Sequence, residues 1–180
     1  MAATVDPLEA RLMPSDAVRI ALIVPVSGVL GLMGPCAINC AVLAAEEVNA
    51  RGGVLGRPVE LVLVDGGRPA AQVAAEVAGL VRSGTVRGVA GAHASDVRVE
   101  VVAAIAGRVP FVYAPPYEGG GRAPGVYFLG ETPDRQLAPG IEWLGGPAPA
   151  PPSGLLGDRR LSARPPHARA PPRAGAGGGR

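Results

Sequence analysis

Apolar positions along the first three-quarters of the chain fall into short continuous runs separated by longer segments of helical period. The run over residues 20–25 is apolar throughout, which is typical of a strand buried on both faces of a parallel sheet. Residues 35–50 then place apolar side chains at i, i+4 and i+7, the stripe that lets a helix cover a sheet. A second largely apolar run occupies residues 59–65. The pattern therefore predicts a strand, a turn, a helix and a second strand over residues 20–65.

The same strand and helix unit recurs further along the chain. Helices are predicted to begin at Pro69, at Ser95 or Asp96 as a capping residue, and at Thr132, and strands are predicted over residues 86–90, 109–113 and 126–129. Pro139 and Gly140 are expected to weaken the last helix soon after it begins. Alternation of this kind predicts right-handed crossovers, and so an α/β fold in which helices cover both faces of a parallel sheet.

Three regions are predicted from these patterns. Residues 1–18 are expected to form a loose lead-in, residues 19–144 a partial α/β lobe and residues 145–180 a disordered tail. The tail holds 8 Pro and 8 Gly among its 36 residues, so it cannot bury enough apolar surface to offset its chain entropy. One hypothesis is that the tail is translated from a shifted frame of GC-rich DNA.

The net charge of the chain also changes between residues 144 and 145. Residues 1–144 carry 11 Arg against 14 Asp and Glu, a net charge of −3, whereas residues 145–180 carry 6 Arg against one Asp, a net charge of +5. All 17 basic residues are Arg and none is Lys, which indicates a GC-rich coding sequence rather than a nucleic-acid-binding surface. No nucleic-acid partner is therefore predicted.

The chain's two cysteines, Cys36 and Cys40, lie four residues apart on the first long helix. This spacing fits an intrahelical disulfide poorly, and a zinc site would need further ligands that the neighbouring sequence does not supply. The two side chains are therefore predicted to be buried thiols that pack the helix against the sheet. No metal site and no cofactor are predicted.

The apolar stretch over residues 20–33 has the composition of the middle of a signal peptide. It is preceded by 19 residues that include Asp6, Glu9 and Asp16, and it is interrupted by Pro25. It is also too short and broken to span a bilayer. The stretch is therefore predicted to be a strand, without membrane insertion. The chain as given is expected to be cytoplasmic, or periplasmic or at the cell surface if a longer precursor exists.

The motifs suggest two enzymatic interpretations, and neither is well supported. Three glycines within residues 28–34, with Asp65 after the next strand, suggest a dinucleotide-binding loop. Their spacing is G-x-x-G-x-x-G rather than G-x-G-x-x-G, so a nucleotide-binding enzyme is a remote alternative. His93 precedes Ser95 by two residues, but a third partner for nucleophilic catalysis is missing. His93 is therefore interpreted as a loop residue near a pocket, and no catalytic residue is predicted.

A binding site for a small molecule explains the residues at the strand ends better than an enzyme active site does. In open parallel sheets, ligands lie beyond the carboxyl ends of the strands, where loops and helix N-termini meet. The predicted ligand-binding residues at these ends are Ser27, Ala94, Ser95, Tyr113 and Tyr117. Ser95 offers a hydroxyl beside free backbone N–H groups, and the two tyrosines offer an apolar wall. The alternative is that Ser95 only caps a helix and Tyr113 only ends a buried strand.

The sequence resembles the start of type I periplasmic binding proteins of the leucine/isoleucine/valine group. The resemblance rests on Ser27-Gly28, on Leu43-Ala-Ala-Glu-Glu-Val-Asn-Ala-Arg-Gly-Gly-Val-Leu-Gly-Arg-Pro58 and on a strand ending in Asp65, and it continues to about Leu144. The segment Val112-Tyr-Ala-Pro-Pro-Tyr-Glu-Gly119 is most similar to the branch that binds urea and short-chain amides. That branch includes transporter receptors and a cytoplasmic amide sensor.

The resemblance implies two α/β lobes joined by a hinge that close on a ligand. Ser95 matches the serine with which the family holds its ligand, and Tyr113 matches an aromatic residue at the end of the fourth strand. Pro115 stands where relatives often carry a hydroxyl side chain. No residue matches the second lobe, so the chain corresponds to an incomplete N-terminal lobe.

We therefore expect a non-enzymatic chain that binds a small polar molecule, namely an amide, urea or a branched-chain amino acid. The expected role is the substrate-binding component of an ABC transporter, with a permease as partner, here as a non-functional fragment. The alternative is a cytoplasmic amide-sensing protein with a regulatory partner. Half a cleft is expected to bind weakly, and an exposed sheet edge is expected to favour aggregation.

Overall fold

A computed structural model describes residues 4–120 and 123–143, with only the backbone described for Glu142 and Trp143. The elements in chain order are β1 (Thr4–Val5), α1 (Pro7–Leu12), β2 (Val18–Val24), a short 3-10 helix (Gly31–Met33), α2 (Gly34–Ala50), β3 (Val59–Asp65), α3 (Ala70–Arg82), β4 (Gly88–Gly91), α4 (Ser95–Ile105), β5 (Phe111–Tyr113), β6 (Val126–Phe128) and α5 (Pro133–Trp143). Residues 145–180, the tail that is predicted to be disordered, lie outside the described residues. The structure therefore tests neither that prediction nor the frameshift hypothesis.

The six strands form one sheet in the order β1-β3-β2-β4-β5-β6, and every neighbouring pair is parallel. Strand β2 is central, and it pairs with β3 along its whole length and with β4 on its other side. Its residues point alternately to two faces, and both faces are buried. The continuous apolar run at residues 20–25 is therefore a central strand, as predicted.

Each face of the sheet is covered by helices. On one face, Ile23 and Val64 belong to a core that includes Val77 of α3 and Val101 of α4. On the other face, Leu22 and Val24 belong to a smaller core with Ala45 of α2. Helix α2 lies on the opposite side of the sheet from α3 and α4, which confirms the predicted fold class.

Residues 4–12 differ from the loose lead-in that the sequence predicts. Asp6 caps α1, since its Oδ1 accepts hydrogen bonds from the backbone N–H groups of Leu8 (2.8 Å) and Glu9 (3.4 Å), and Pro7 follows at the first helical position. Ala10 is buried in the larger core. A helix of six residues is too short to show an apolar period, which is why the pattern did not reveal it.

The prediction that the two cysteines are buried is wrong, because Cys36 and Cys40 are both free and exposed. Helix α2 meets the sheet through Ile38, Val42 and Ala45. At 3.6 residues per turn, the cysteines lie on the opposite side of the helix from this stripe. Spacing alone placed the two thiols together on one face, but it did not show which face points to the sheet.

Helix α5 contains the proline that is expected to weaken it. Pro139 lies inside it, and the helix continues to Trp143. A proline in a helix interior removes one backbone hydrogen bond and crowds the preceding turn, which weakens a helix without always ending it.

One helical stretch among the described residues, Gly31–Ala50, is long and apolar enough to cross a membrane by length and composition. Core helices of soluble proteins and signal sequences share this property. In the fold, Ile38 and Val42 of this stretch pack against the sheet.

Candidate functional site

A concave site lies at the carboxyl ends of the three central strands. The loops after β2, β3 and β4 and the start of α4 surround a cavity of about 350 Å³. Its lining consists of Pro25, Ser27, Val29, Leu30, Gly66, Gly67, Arg68, Ala94, Asp96 and Val97. The chain passes from β2 to β3 on one side and then returns to β4 on the other side of β2. The cavity therefore lies at the switch point of the sheet, where open α/β folds bind ligands.

Asp65 fixes the shape of this rim. Its carboxylate accepts hydrogen bonds from the backbone N–H groups of Val26 (3.0 Å), Ser27 (3.3 Å) and Gly67 (2.8 Å), and from the Ser27 hydroxyl (2.6 Å). Burial alone would raise the pKa of Asp65, but these hydrogen bonds, with Ser27 the largest, lower it below its ordinary value. The carboxylate thus stays ionised and ties the β2 loop to the β3 loop.

Replacing Asp65 with alanine is expected to loosen the β2 loop and to lower the free energy of unfolding by about 1–2 kcal/mol, because the rim loses its shared acceptor. Urea unfolding measures the stability loss, and amide hydrogen exchange of residues 25–30 measures the loosening. Asp16→Ala removes an exposed carboxylate elsewhere and serves as the control, with an expected change within about 0.5 kcal/mol. Unchanged exchange in the loop of the Asp65 variant would contradict this role.

The glycines of this region let backbone segments approach one another. A Cβ on Gly67 would collide with the carbonyl oxygen of Ser27, and a Cβ on Gly34 would collide with that of Pro25. Only glycine allows such contacts. The glycines that suggested a dinucleotide-binding loop therefore include one, Gly34, whose missing side chain makes room for the protein's own backbone.

Helix α4 begins beside the cavity. Its N-cap is Ala94, which makes no side-chain capping bond, so neither Ser95 nor Asp96 is the N-cap that the sequence predicts. The Oδ1 atom of Asp96 instead accepts from the N–H of Val97 at 2.8 Å. The N–H groups of Ser95 and Asp96 have no intrahelical carbonyl to bind, which makes this helix end suitable for a polar or anionic group of a ligand.

Tyr113 is enclosed by the protein. It is 1% exposed, and its hydroxyl donates a hydrogen bond to the carbonyl oxygen of His93 at 2.6 Å. Burial raises the pKa of the tyrosine hydroxyl, and hydrogen bonding with Ser95 opposes that rise. This placement is the one expected if Tyr113 ends a buried strand, and a ligand role for it stays a prediction.

His93 lies beneath the site rather than in it. It is 4% exposed, and its Nδ1 lies 3.0 Å from the carbonyl oxygen of Ala94. Because a carbonyl only accepts, Nδ1 carries the proton, and Nε2 is buried without a partner among the described residues. Burial lowers the pKa of His93 to about 4. A neutral, enclosed imidazole holds the loop between β4 and α4 in place.

Tyr117 belongs to a second cluster around the Arg98 side chain. The Arg98 guanidinium carbon lies 5.3 Å from the ring centre of Tyr113, 6.0 Å from that of Tyr117 and 5.4 Å from that of Phe128. The rings of Tyr117 and Phe128 stack at 4.2 Å. These distances are within the range of cation–π attraction, so Arg98 holds the loop after β5 against α4.

Glu118 completes this cluster. Its Oε2 accepts a hydrogen bond from Nη2 of Arg98 at 2.8 Å. Burial alone would raise the pKa of Glu118, but hydrogen bonding by Ser95 and the charge of Arg98 lower it.

The five predicted ligand-binding residues do not line a single cavity. Ser27 and Ala94 line the 350 Å³ cavity, whereas Tyr117 lines a different surface cavity of about 750 Å³ beside β6. Ser95 is partly buried at the start of α4 and lines neither cavity, and Tyr113 is enclosed. The sequence therefore placed all five near the carboxyl ends of the strands, but it did not separate the rim of the central cavity from the cluster behind it.

Sequence reasoning missed Arg68, Asp96 and Arg98 as parts of this region. Arg68 and Asp96 line the central cavity, and Arg98 organises the second cluster. A signal existed for Asp96, since it lies in the first turn of a helix that follows a strand end. For Arg98 the apolar period gave no signal, because a charged side chain among aromatic rings is recognised only from tertiary contacts.

The sequence matches a known protein family over most of its length. Residues 17–158 match the family model described as periplasmic binding protein. This match extends beyond residue 144, where the resemblance was expected to end. It covers well over half of the chain.

Solved structures of transport proteins share the fold. The branched-chain amino acid transporter substrate-binding protein LivJ from Streptococcus pneumoniae, in complex with isoleucine, is 24% identical with a TM-score of 0.55, over 64% of this chain and 34% of that one. A putative branched-chain amino acid ABC transporter protein from Rhodospirillum rubrum is 22% identical (TM-score 0.59; 71% of this chain, 38% of that one). A fatty acid ABC transporter substrate-binding protein from Thermomonospora curvata is 23% identical (TM-score 0.59; 79% and 37%).

The chain thus spans about a third of the length of these solved structures. Their similarity covers between 64% and 79% of this chain. Together with the family match over residues 17–158, it confirms the predicted resemblance: the chain belongs to the periplasmic binding protein family.

Proposed function

We propose that this chain binds a small polar molecule as part of the substrate-binding component of an ABC transporter. The observation that carries the proposal is the cavity of about 350 Å³ at the switch point of the sheet, in a chain of this family. Its size suits a small metabolite, and its lining combines apolar side chains with a few polar groups, as in many ligand sites.

The polar groups of the rim favour a ligand that carries a carboxylate. The start of α4 presents backbone N–H groups, and the partial positive charge of a helix N-terminus attracts anions. Isoleucine is bound in the Streptococcus pneumoniae structure and the Thermomonospora curvata protein belongs to a fatty acid transporter, and both kinds of molecule carry a carboxylate. We therefore place branched-chain amino acids first among the ligands, and amides and urea second.

The apolar part of the rim fits an aliphatic ligand tail. Val29 is fully exposed and Leu30 is 41% exposed, and both line the cavity. A branched side chain that covers them would remove apolar surface from water, at about 25 cal/mol per Å². Urea and small amides offer little surface for this contact, which is the physical reason for ranking them second.

Binding by the described lobe alone is expected to be weak. The cavity is open on one side, so a bound molecule would keep much of its surface in water, and the cost of immobilising it would be offset only in part.

Apolar side chains near the edge strand β6 are exposed. Tyr127 is 58% exposed and Leu129 is 70% exposed, which supports the expected tendency of the chain to aggregate.

The proposal is tested by the thermal shift of the full chain with isoleucine, leucine, acetamide and urea at millimolar concentration. At ten times its Kd, a ligand should stabilise the fold by about 1.4 kcal/mol. Ala94→Leu places a larger side chain at the cavity rim and should abolish the shift. Ala44→Leu, at an exposed position of α2, is the matched control and should keep it. A shift that survives Ala94→Leu would place the ligand elsewhere.

The partner and the location follow from the same proposal. A transport receptor delivers its ligand to a permease, and a periplasmic location agrees with the family's description. Preference for acetamide over isoleucine in the thermal-shift experiment would instead favour the amide-binding branch, and capture of a regulatory partner rather than a permease would then favour the cytoplasmic amide-sensing alternative.

A further inference from the structure

The outer face of α2 and the residue just before it carry three sulfur side chains along one stripe. Met33 is the N-cap residue of the helix in helical conformation, and Cys36 and Cys40 follow at spacings of three and four residues. Both cysteines are free and exposed, and Met33 is 64% exposed. Side chains at these spacings lie above one another on a helix, with Cβ atoms roughly 5–6 Å apart.

This stripe is separate from the proposed ligand cavity. None of its three residues lines that cavity, and the face of α2 that packs on the sheet carries Ile38 and Val42 instead. The sulfur atoms therefore serve neither the core nor the ligand site. Cysteine and methionine are the two residue types whose sulfur binds soft metal ions.

We propose that Met33, Cys36 and Cys40 form a binding site for a soft monovalent metal ion, Cu(I). Two thiolates one helical turn apart can approach the ion from opposite sides, and the Met33 thioether can occupy a third position. Binding releases two protons, since Cu(I) and two thiols give a bis-thiolate complex and two H⁺. No change of oxidation state is involved.

The number and type of sulfur ligands determine which metal ion this site can bind. Among the described residues, no cluster of three or more His, Cys, Asp or Glu side chains is present that could hold a metal ion. Structural zinc sites require four such ligands in a tetrahedron, so two thiols fall short. Two thiolates and a thioether instead match the soft, low-coordinate preference of Cu(I).

The test is an anaerobic titration of the reduced full chain with Cu(I) in competition with bicinchoninate, followed by the absorbance of the copper–bicinchoninate complex. We expect one Cu(I) per chain and a monomer by size-exclusion chromatography. Cys36→Ser and Cys40→Ser should each fail to compete with the chelator, and Met33→Leu should weaken binding measurably. Met13→Leu removes another exposed methionine, outside the stripe, and should leave binding unchanged.

Three results would overturn the proposal. One is a single cysteine variant that competes as well as the unmodified chain. Another is half a Cu(I) per chain with a copper-dependent dimer, which would mean that the thiols of two chains share the ion. The third is equal weakening by Met33→Leu and Met13→Leu, which would remove the thioether from the site. Far-UV circular dichroism of every variant checks that the fold is retained.

Discussion

Replacing Arg19 with alanine is expected to lower the free energy of unfolding by about 3 kcal/mol, because it breaks a partly buried ion pair and leaves the partners of a buried guanidinium unsatisfied. The Arg19 side chain is 9% exposed, and its Nε donates to Oε2 of Glu60 at 2.9 Å. Its Nη1 donates to the carbonyl oxygens of Ala10 and Met13. One side chain therefore joins β2, β3 and the end of α1. Urea unfolding measures the loss.

The matched control is Arg51→Ala. Arg51 pairs with Glu47 at 3.6 Å on the surface of α2, and both side chains are more than half exposed. Exposed pairs of this kind contribute roughly 0–0.5 kcal/mol, so the control should unfold almost as the parent does. Arg19→Lys keeps the charge without the guanidinium fork and should fall between the two. A loss below about 1 kcal/mol for Arg19→Ala would show that α1 is not anchored by this residue.

Acidification from pH 6.5 to pH 4 is expected to destabilise the fold by about 3 kcal/mol through His93 alone. Burial lowers the pKa of His93 to about 4 from an ordinary value of 6.5, with Asp96 opposing and Arg98 reinforcing the shift. In this pH window the unfolded chain binds a proton that the folded chain does not. The contribution of His93 to the free energy of unfolding is therefore fully present above pH 6.5, and it is lost progressively as the pH falls towards 4. Urea unfolding at half-unit pH intervals measures the slope.

Other carboxyl groups also titrate in this window, so the test compares variants. His93→Gln lacks the titrating group and should flatten the slope between pH 6.5 and pH 4, whatever its stability at neutral pH. His167→Gln replaces the only other histidine of the chain and should keep the slope. The prediction fails if the two variants give parallel profiles.

Arg19 and His93 show what the sequence pattern could predict and what it could not. Arg19 stands in a strand whose neighbours are apolar, and the period of the strand gives no sign that its guanidinium reaches back to α1. His93 was predicted to lie near a pocket, and it does lie next to Ala94 of the cavity rim. Its burial depends on Phe111 and Tyr113, which are distant in sequence, and so does the lack of a partner for its Nε2 among the described residues.

The candidate site was predicted in location but not in detail. The rule that ligands lie beyond the carboxyl ends of parallel strands led to Ser27 and Ala94, and both line the central cavity. Their contact with a ligand stays a prediction. The enclosure of Tyr113 was left open between two alternatives, because strand-end aromatics occur both in sites and in cores. The role of Asp65 as the acceptor that joins two loops became visible only when four hydrogen bonds to it were seen.

The sequence by itself determined the alternation of strands and helices, because continuous apolar runs and helical stripes are local consequences of burial. It also determined the membership of the family, through motifs between residues 20 and 65. Tertiary structure decided which face of α2 meets the sheet, and so exposed Cys36 and Cys40. It also decided that α1 is anchored, since the atoms that hold it come from Arg19. Both depend on contacts between segments, which a local period does not encode.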